Sequence, residues 1–278
     1  MNTLLSAFLL SLVAGLGTGL GGLVAMIRSP GKRSYGFLMG MTAGVMISLS
    51  FLGLVNHAWE QGGFWMTTIG FSAGAIFMLL LDFIIPHIRF GEMETRNVDL
   101  SLENNAGSQP NHRRRYSWGR LHERNHIVDY PLLRTGILLA IGITLHNLPE
   151  GIAVGASYMY TPRFGLFIAM AILLHNIPEG IATALPLCKS GVYKWDAFRV
   201  ALFSGLAEPV GALVAVLFLR VFQSLVPASL AFAGGVMMFI TLDELIPTAR
   251  EHGHQHFTAL GIICGSIFVF LLSGIFGV

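Results

Sequence analysis

His146, Asn147 and Glu150 stand within a segment reading Leu-His-Asn-Leu-Pro-Glu-Gly-Ile-Ala, and His175, Asn176 and Glu179 stand within its copy. The two nonapeptides, Leu145 to Ala153 and Leu174 to Ala182, differ only at Leu148 against Ile177. Imidazole, amide and carboxylate are nitrogen and oxygen donors suited to first-row divalent ions such as Zn2+, Fe2+, Mn2+ or Co2+, and without a thiolate they disfavour Cu+. On a helix His146 and Glu150 share a face, as do His175 and Glu179, because residues four apart lie one above the other. Pro149 and Pro178 each remove a backbone hydrogen bond and predict a bend that swings the asparagines toward the same cavity.

Both copies lie in apolar runs long enough to cross a bilayer. An ionisable group at that depth costs roughly 2.5 to 3.5 kcal/mol even on lenient scales, which makes it a functional candidate. Hydrogen bonding between helices is the competing reading, and the duplication argues against it. Glu208, followed by Pro209 and flanked by small residues, is a further carboxylate in the next apolar run. Three buried carboxylates repel unless cations neutralise them, so one or two divalent ions are expected, with Glu150 and Glu179 placed to bridge. Protons compete for the same groups, which makes binding pH-dependent.

The elements that must hold these groups follow from composition. The chain has 278 residues, is 54% hydrophobic and only 12% charged, and has a mean hydropathy of +0.67, values of a polytopic membrane protein. Apolar runs predict eight spans near residues 4–27, 35–56, 64–85, 132–159, 164–187, 196–222, 227–247 and 257–277. The fold class expected is therefore an all-α polytopic membrane protein of eight transmembrane helices. The adjacent motif spans run in opposite directions as inverted internal repeats meeting at the midplane. A weaker echo joins Leu81-Asp-Phe-Ile-Ile-Pro86 to Leu242-Asp-Glu-Leu-Ile-Pro247. Gly15, Gly17, Gly19, Gly21 and Gly22 in the first span predict close helix packing.

Residues 89–130 form the long polar segment, read as a flexible cytoplasmic loop carrying an arginine cluster that suits orientation and anionic lipid, with no nucleic-acid role. Of the 17 Lys and Arg residues, all but Arg163 and Arg220 fall on one side if the N-terminus faces out. That orientation puts both termini on the external side, and the location expected for the chain is the cell (inner) membrane. The N-terminus reads as a retained span, and Cys188 and Cys264 build neither a disulfide framework nor a metal site.

Possible exit contacts for a metal are Asp82, His87, Asp243 and Glu244 at the inner ends of spans three and seven, followed by His252, His254 and His256. A solvated loop is the competing reading there. His57, with Glu60, stands at the outer side as a possible collecting point. His112, His122 and His126 in the long segment read first as solvated residues, with feeding a metal to the spans as the competing reading. Ser48 and Ser50 read first as packing hydroxyls.

The paired His-Asn-x-Pro-Glu-Gly motifs, Glu208-Pro209 and the eight spans resemble the ZIP (ZRT/IRT-like) family of divalent metal transporters, nearest to its ZupT-type bacterial members. The resemblance covers essentially the whole chain. It implies a binuclear site, with His146, Glu150, His175 and Glu179 at one position and Asn147, Glu150, Asn176, Glu179 and Glu208 at the other. Some family members carry Asp where this chain has Asn176, or Gln where it has His175. The resemblance also implies uptake into the cytoplasm, a homodimer, and an elevator-like motion of spans one, four, five and six against the rest. The chain carries no phosphate loop for ATP, so a secondary or facilitative transporter is expected. The rivals are an intramembrane metalloenzyme and a non-translocating metal sensor. The His-x3-Glu spacing of the paired motifs is neither the His-Glu-x-x-His of metalloproteases nor the Glu-x-x-His of di-iron bundles, which argues against an enzyme at this site.

Overall fold

The computed structural model describes residues 2–84 and 128–278, apart from the side chains of Ile84 and His252. Nearly all of the segment expected to be a loop at 89–130, with His87, His112, His122, His126 and most of the arginine cluster, lies outside the described residues. Every described element is helical, and seven stretches are long and apolar enough to cross a bilayer.

Helix α1 spans Thr3–Ile27 and α2 spans Lys32–Ser48, continued by a wide π-helical segment, Leu49–Val55, into α3, Asn56–Ile84. The unbroken apolar stretch Lys32–Phe83 is 52 residues long. At 1.5 Å per residue it would reach about 78 Å, more than twice a hydrocarbon core. It is broken inside α3 at Gly63, whose φ of 67° and ψ of −174° suit a residue without a Cβ. The connection expected at residues 57–63 is therefore mostly helical.

The motif helices are α4, Tyr130–Tyr160, and α5, Pro162–Lys189. Thr161 closes the first and opens the second: its hydroxyl accepts from the Phe164 N–H at 3.1 Å, with Pro162 at the first helical position. A one-residue link leaves the chain no option but to double back. At the other end Asp129 caps α4 by accepting from the Leu132 N–H at 3.1 Å. Both helices continue unbroken through Pro149 and Pro178. The sixth apolar run is divided at Leu206 into α6, Lys194–Gly205, and α7, Ala207–Val221. A short 3-10 turn leads to α8, Val226–Ile240, then a π-helical turn at Thr241–Leu245, α9, Ile246–His252, and α10, Gln255–Phe276.

Packing sorts these helices into two bundles. In one, α1 lies against α5, α6 and α7, and α4 against α5 and α7; in the other, α2 pairs with α10 and α3 with α8. Lipid tails are as apolar as leucine, so close backbone approach has to supply what hydrophobicity cannot. Glycines permit that approach in reciprocal pairs. A Cβ on Gly180 would collide with the Thr18 carbonyl and one on Gly21 with the Ile177 carbonyl, joining α1 to α5. Gly151 meets the Glu208 carbonyl while Gly211 meets the Leu148 carbonyl, joining α4 to α7. In the other bundle Gly44 and Gly265 face the carbonyls of Ile262 and Met41. The motif glycines thus set interhelical distance at the level of the motif carboxylates.

Replacing Gly180 with Ala should lower stability by about 1–3 kcal/mol through overpacking against backbone that has no rotamer to yield. Gly274→Ala, whose Cβ meets nothing within 4 Å, should not. Thermal unfolding in detergent, followed by size-exclusion chromatography, separates the two; equal midpoints would refute the packing argument.

Candidate metal centre

The two motifs meet where α4 and α5 cross. His146, Glu150 and Glu179 each offer one ligand atom, and these atoms lie within 4.8 Å of one another; no other such trio of His, Cys, Asp or Glu occurs among the described residues. Nε2 of His175 sits 3.0 Å from Oε1 of Glu150, and Nε2 of His146 sits 4.0 Å from the same oxygen. All four side chains are buried.

Glu208 occupies the first turn of α7, which the break at Leu206 creates. A carboxylate is stabilised at that end by unpaired N–H groups and the helix dipole. Asn176 donates through Nδ2 to Glu208 Oε1 and also to the Ala14 carbonyl at 3.0 Å, linking α5 to α7 and α1. Asn147 turns to another partner, donating to Ser204 Oγ at 3.4 Å, while Thr144 reaches the same hydroxyl at 3.1 Å. Four of the seven candidate ligands, His146, Glu150, His175 and Glu179, therefore form one cluster, and Asn176 with Glu208 forms a bonded pair.

The electrostatics are unusual. Glu150, Glu179 and Glu208 are fully or almost fully buried, and no Lys or Arg pairs with them among the described residues. Nε2 of His146, Oε2 of Glu150, both carboxyl oxygens of Glu179, Oε2 of Glu208 and Oδ1 of Asn147 and Asn176 have no hydrogen-bond partner. A buried polar atom left unmade costs about 1–3 kcal/mol. So many in one place, all acceptors or potential electron-pair donors, define a setting that a divalent cation satisfies and another helix does not.

Access is one-sided. A cavity of about 320 Å³ leads from His146 and Glu179 past Met39, Ile143 and Leu185 to Lys32, Lys189 and Glu251. On the opposite side Phe164, Phe167, Ile168 and Ile172 of α5 are sealed against Met46, Leu49 and Leu54.

Several flanking groups stand elsewhere than expected. Glu244 belongs beside the site: the π-helical turn brings its Oε2 to 3.8 Å from Nδ1 of His146, across the boundary between bundles. Sequence periodicity steps by 3.6 residues and could not place a residue in a wider turn. Asp243, its neighbour, is exposed, and Asp82 is half-buried. The exposed rings of His254 and His256 are 5.7 Å apart at the start of α10, near Glu251 at the cavity mouth. His57 is not on a loop. Its Nδ1–H donates to the Gly53 carbonyl at 2.8 Å, and its ring stacks on Phe164 at 4.2 Å. Glu60 bonds the Asn56 amide at 3.1 Å and does not meet His57. Ser204, the Ala14 carbonyl and Thr42, whose hydroxyl donates to the His175 carbonyl at 3.3 Å, went unrecognised in the sequence. Only the small side chains around Glu208 hinted at them.

The ZIP zinc transporter family model matches residues 89–273. A protein named zinc transporter ZupT from Clostridium perfringens is 36% identical, covering 96% of this chain and 94% of its own length. Another of that name from Oceanobacillus iheyensis is 37% identical, covering 95% and 96%. From Arabidopsis thaliana, zinc transporter ZTP29 is 38% identical, covering 91% and 88%. With its paired motifs brought together in the bilayer-spanning helices, the chain belongs to the ZIP family of metal transporters.

Proposed function

We propose that the protein carries zinc into the cytoplasm of the cell, using His146, Glu150, His175 and Glu179 as one metal position and Asn147, Glu150, Asn176, Glu179 and Glu208 as a second, adjoining one. The observation that carries this reading is the convergence of His146, Glu150 and Glu179 within 4.8 Å, surrounded by acceptor atoms that lack partners. Fe2+, Mn2+ and Co2+ suit the same donors, and the names of the relatives favour zinc. His254, His256 and Glu251 stand where an ion leaving the cavity would pass, with Glu244 nearer the site.

Eight crossings follow if the 52-residue stretch turns at Gly63. The one-residue link at Thr161 then makes the motif helices an inverted pair. The cavity opens toward the end bearing Lys32 and Lys189, the cytoplasmic end by the distribution of positive charge. A divalent ion moving inward across about 100 mV gains about 4.6 kcal/mol, enough to drive uptake without another energy source. The grouping of α1 and α4 to α7 apart from the remaining helices supports movement of one bundle against the other. A homodimer in the inner membrane completes the reading.

Radiolabelled Zn2+ uptake into proteoliposomes should fall more than about tenfold for Glu150→Ala and for Glu179→Ala, because each removes a ligand that no neighbour replaces. Uptake equal to that of the unaltered protein in both variants would defeat the transport role of this site. If the carboxylates and imidazoles are the ligands, binding releases protons, so Zn2+ affinity measured by calorimetry should fall as pH is lowered from neutrality. An affinity independent of pH would exclude these ligands.

Orientation is tested separately. In a variant with Cys188 and Cys264 replaced by Ala, Arg220→Cys should react with an impermeant maleimide on intact cells. Lys32→Cys should react only after permeabilisation. The reverse pattern would invert the proposed topology.

A further inference from the structure

We propose that Ser204 is a positioning residue for the second metal position: its hydroxyl holds the nitrogen of the Asn147 amide and leaves the amide oxygen for the ion. Ser204 has this role only if that position binds metal, as proposed above. An amide presents two ends of nearly equal size, one a donor of two hydrogens and the other an acceptor. Turned the wrong way, Asn147 would aim N–H groups at a cation and repel it. Something must therefore choose the end. Ser204 is 2% exposed and Asn147 is fully buried, so bulk water does not make the choice.

Three contacts in a row fix the direction. Asn147 Nδ2 lies 3.4 Å from Ser204 Oγ, Ser204 Oγ lies 3.1 Å from Thr144 Oγ1, and Thr144 Oγ1 lies 2.6 Å from the Ala140 carbonyl oxygen. A hydroxyl has one hydrogen to give and two lone pairs to receive with. Thr144 gives its hydrogen to the Ala140 carbonyl, the shorter contact and the one whose partner can only accept. Toward Ser204 it therefore receives, and the Ser204 hydrogen is spent on it. Ser204 keeps only lone pairs for Asn147, and the N–H end of the amide is the end that bonds a lone pair. The donors run from Asn147 through Ser204 and Thr144 to a backbone carbonyl, and Oδ1 of Asn147 is left without a partner.

Asn176 in the other motif copy reaches the same result by another route. Its nitrogen donates to the Ala14 carbonyl and to Glu208, and its Oδ1 also has no partner. One copy is oriented by backbone and a candidate ligand, the other by a side chain outside the ligand set. Ser204 lies in the last turn of α6, two residues before the break at Leu206 and four before Glu208. The segment that holds the Asn147 nitrogen is thus the one that carries Glu208, so the hydroxyl ties both candidate ligands to one piece of chain.

The probe is Co2+, which suits the same donors and whose visible absorption reports the ligands around it. The full chain in detergent is titrated, and the two equivalents expected to bind are followed separately. Ser204→Ala should weaken one equivalent about tenfold, the lower end of what losing an outer hydrogen-bond partner costs a metal ligand, and leave the other unchanged. Thr144→Val, which frees the Ser204 hydrogen for the amide oxygen, should weaken the same equivalent; Thr144→Ser, which keeps the hydroxyl, should not. Asn147→Ala should weaken that equivalent too, and adding Ser204→Ala to it should cost nothing further, because both act through one amide. A serine with a structural role alone would give additive losses, and additive losses overturn the proposal. So does unaltered binding of both equivalents by Ser204→Ala when Asn147→Ala has lost one. If Ser204→Ala does not elute as a folded species in size-exclusion chromatography, Thr144→Val against Thr144→Ser decides, and equal binding by the two overturns the proposal. Full binding by Asn147→Ala, or a single equivalent in the unaltered protein, defeats the second metal position itself, and the role of Ser204 falls with it.

Discussion

Three carboxylates held in the membrane without a fixed cation are the constraint that the rest of the structure answers to. Glu150, Glu179 and Glu208 are withdrawn from water, and no Lys or Arg among the described residues pairs with them. A buried lysine or arginine would stabilise the fold more simply, because an uncompensated charge in low dielectric costs several kcal/mol. Leaving the charge open reserves that electrostatic energy for something that arrives and departs. The unpartnered oxygens of Glu179 carry the same message as the absent Lys or Arg: these donors form an incomplete centre, one that a mobile dication would complete.

Such a centre has to be held by something other than its own interactions, since those are deferred. Backbone packing does this. The glycines of the motifs press against carbonyls of α1 and α7, and each contact has a reciprocal partner on the facing helix. The arrangement places glycine–carbonyl contact within one residue of Glu150 and Glu179, so the carboxylates inherit the rigidity of the helix crossing. The single-residue link at Thr161 adds a covalent restraint at one end. Across the boundary between the bundles the contacts differ in kind: the 3.8 Å approach of His146 to Glu244 and the 4.2 Å stack of His57 on Phe164 are side-chain contacts. Side chains change partners at small cost, whereas interlocked backbones do not. The structure is thus stiff within each bundle and adjustable between them.

How far the sequence was legible follows from the same distinction. Apolar length gave every long helix among the described residues, and the repeated motif gave the groups that converge, because both are local patterns. Hydropathy placed a connection at 57–63, but the chain stays helical to Gly63, where one torsion ends the segment. The π-helical turn at Thr241–Leu245 shifts the helix face by an amount no 3.6-residue periodicity contains, which is why the closeness of Glu244 to His146 was not legible. His57 looked available to ions because a histidine near an expected loop reads as exposed; its hydrogen bond to Gly53 and its ring stack depend on α5 being alongside. Proline suggested a bend in each motif helix, and α4 and α5 run continuously through Pro149 and Pro178. Ser204 and the Ala14 carbonyl enter through contacts that join distant parts of the chain, which no window of sequence displays.

The amide at position 176 shows how the deferred charge is kept tolerable. Asn176 donates to Glu208 and to the Ala14 carbonyl at once, two roles that need an N–H group. An aspartate in its place would donate to neither partner when ionised, leave the Ala14 carbonyl without this donor, and set a fourth negative charge against Glu208. One divalent ion leaves three carboxylates with a formal charge of −1, and two leave +1; a fourth carboxylate would shift both sums down by one. Asparagine therefore makes the region beside Glu208 less dependent on metal for its stability, and its unpartnered Oδ1 still presents a neutral donor. The balance tilts toward the position formed by His146, Glu150, His175 and Glu179 as the one whose charge most requires an ion, since there the hydrogen-bond donors are imidazoles that metal can replace.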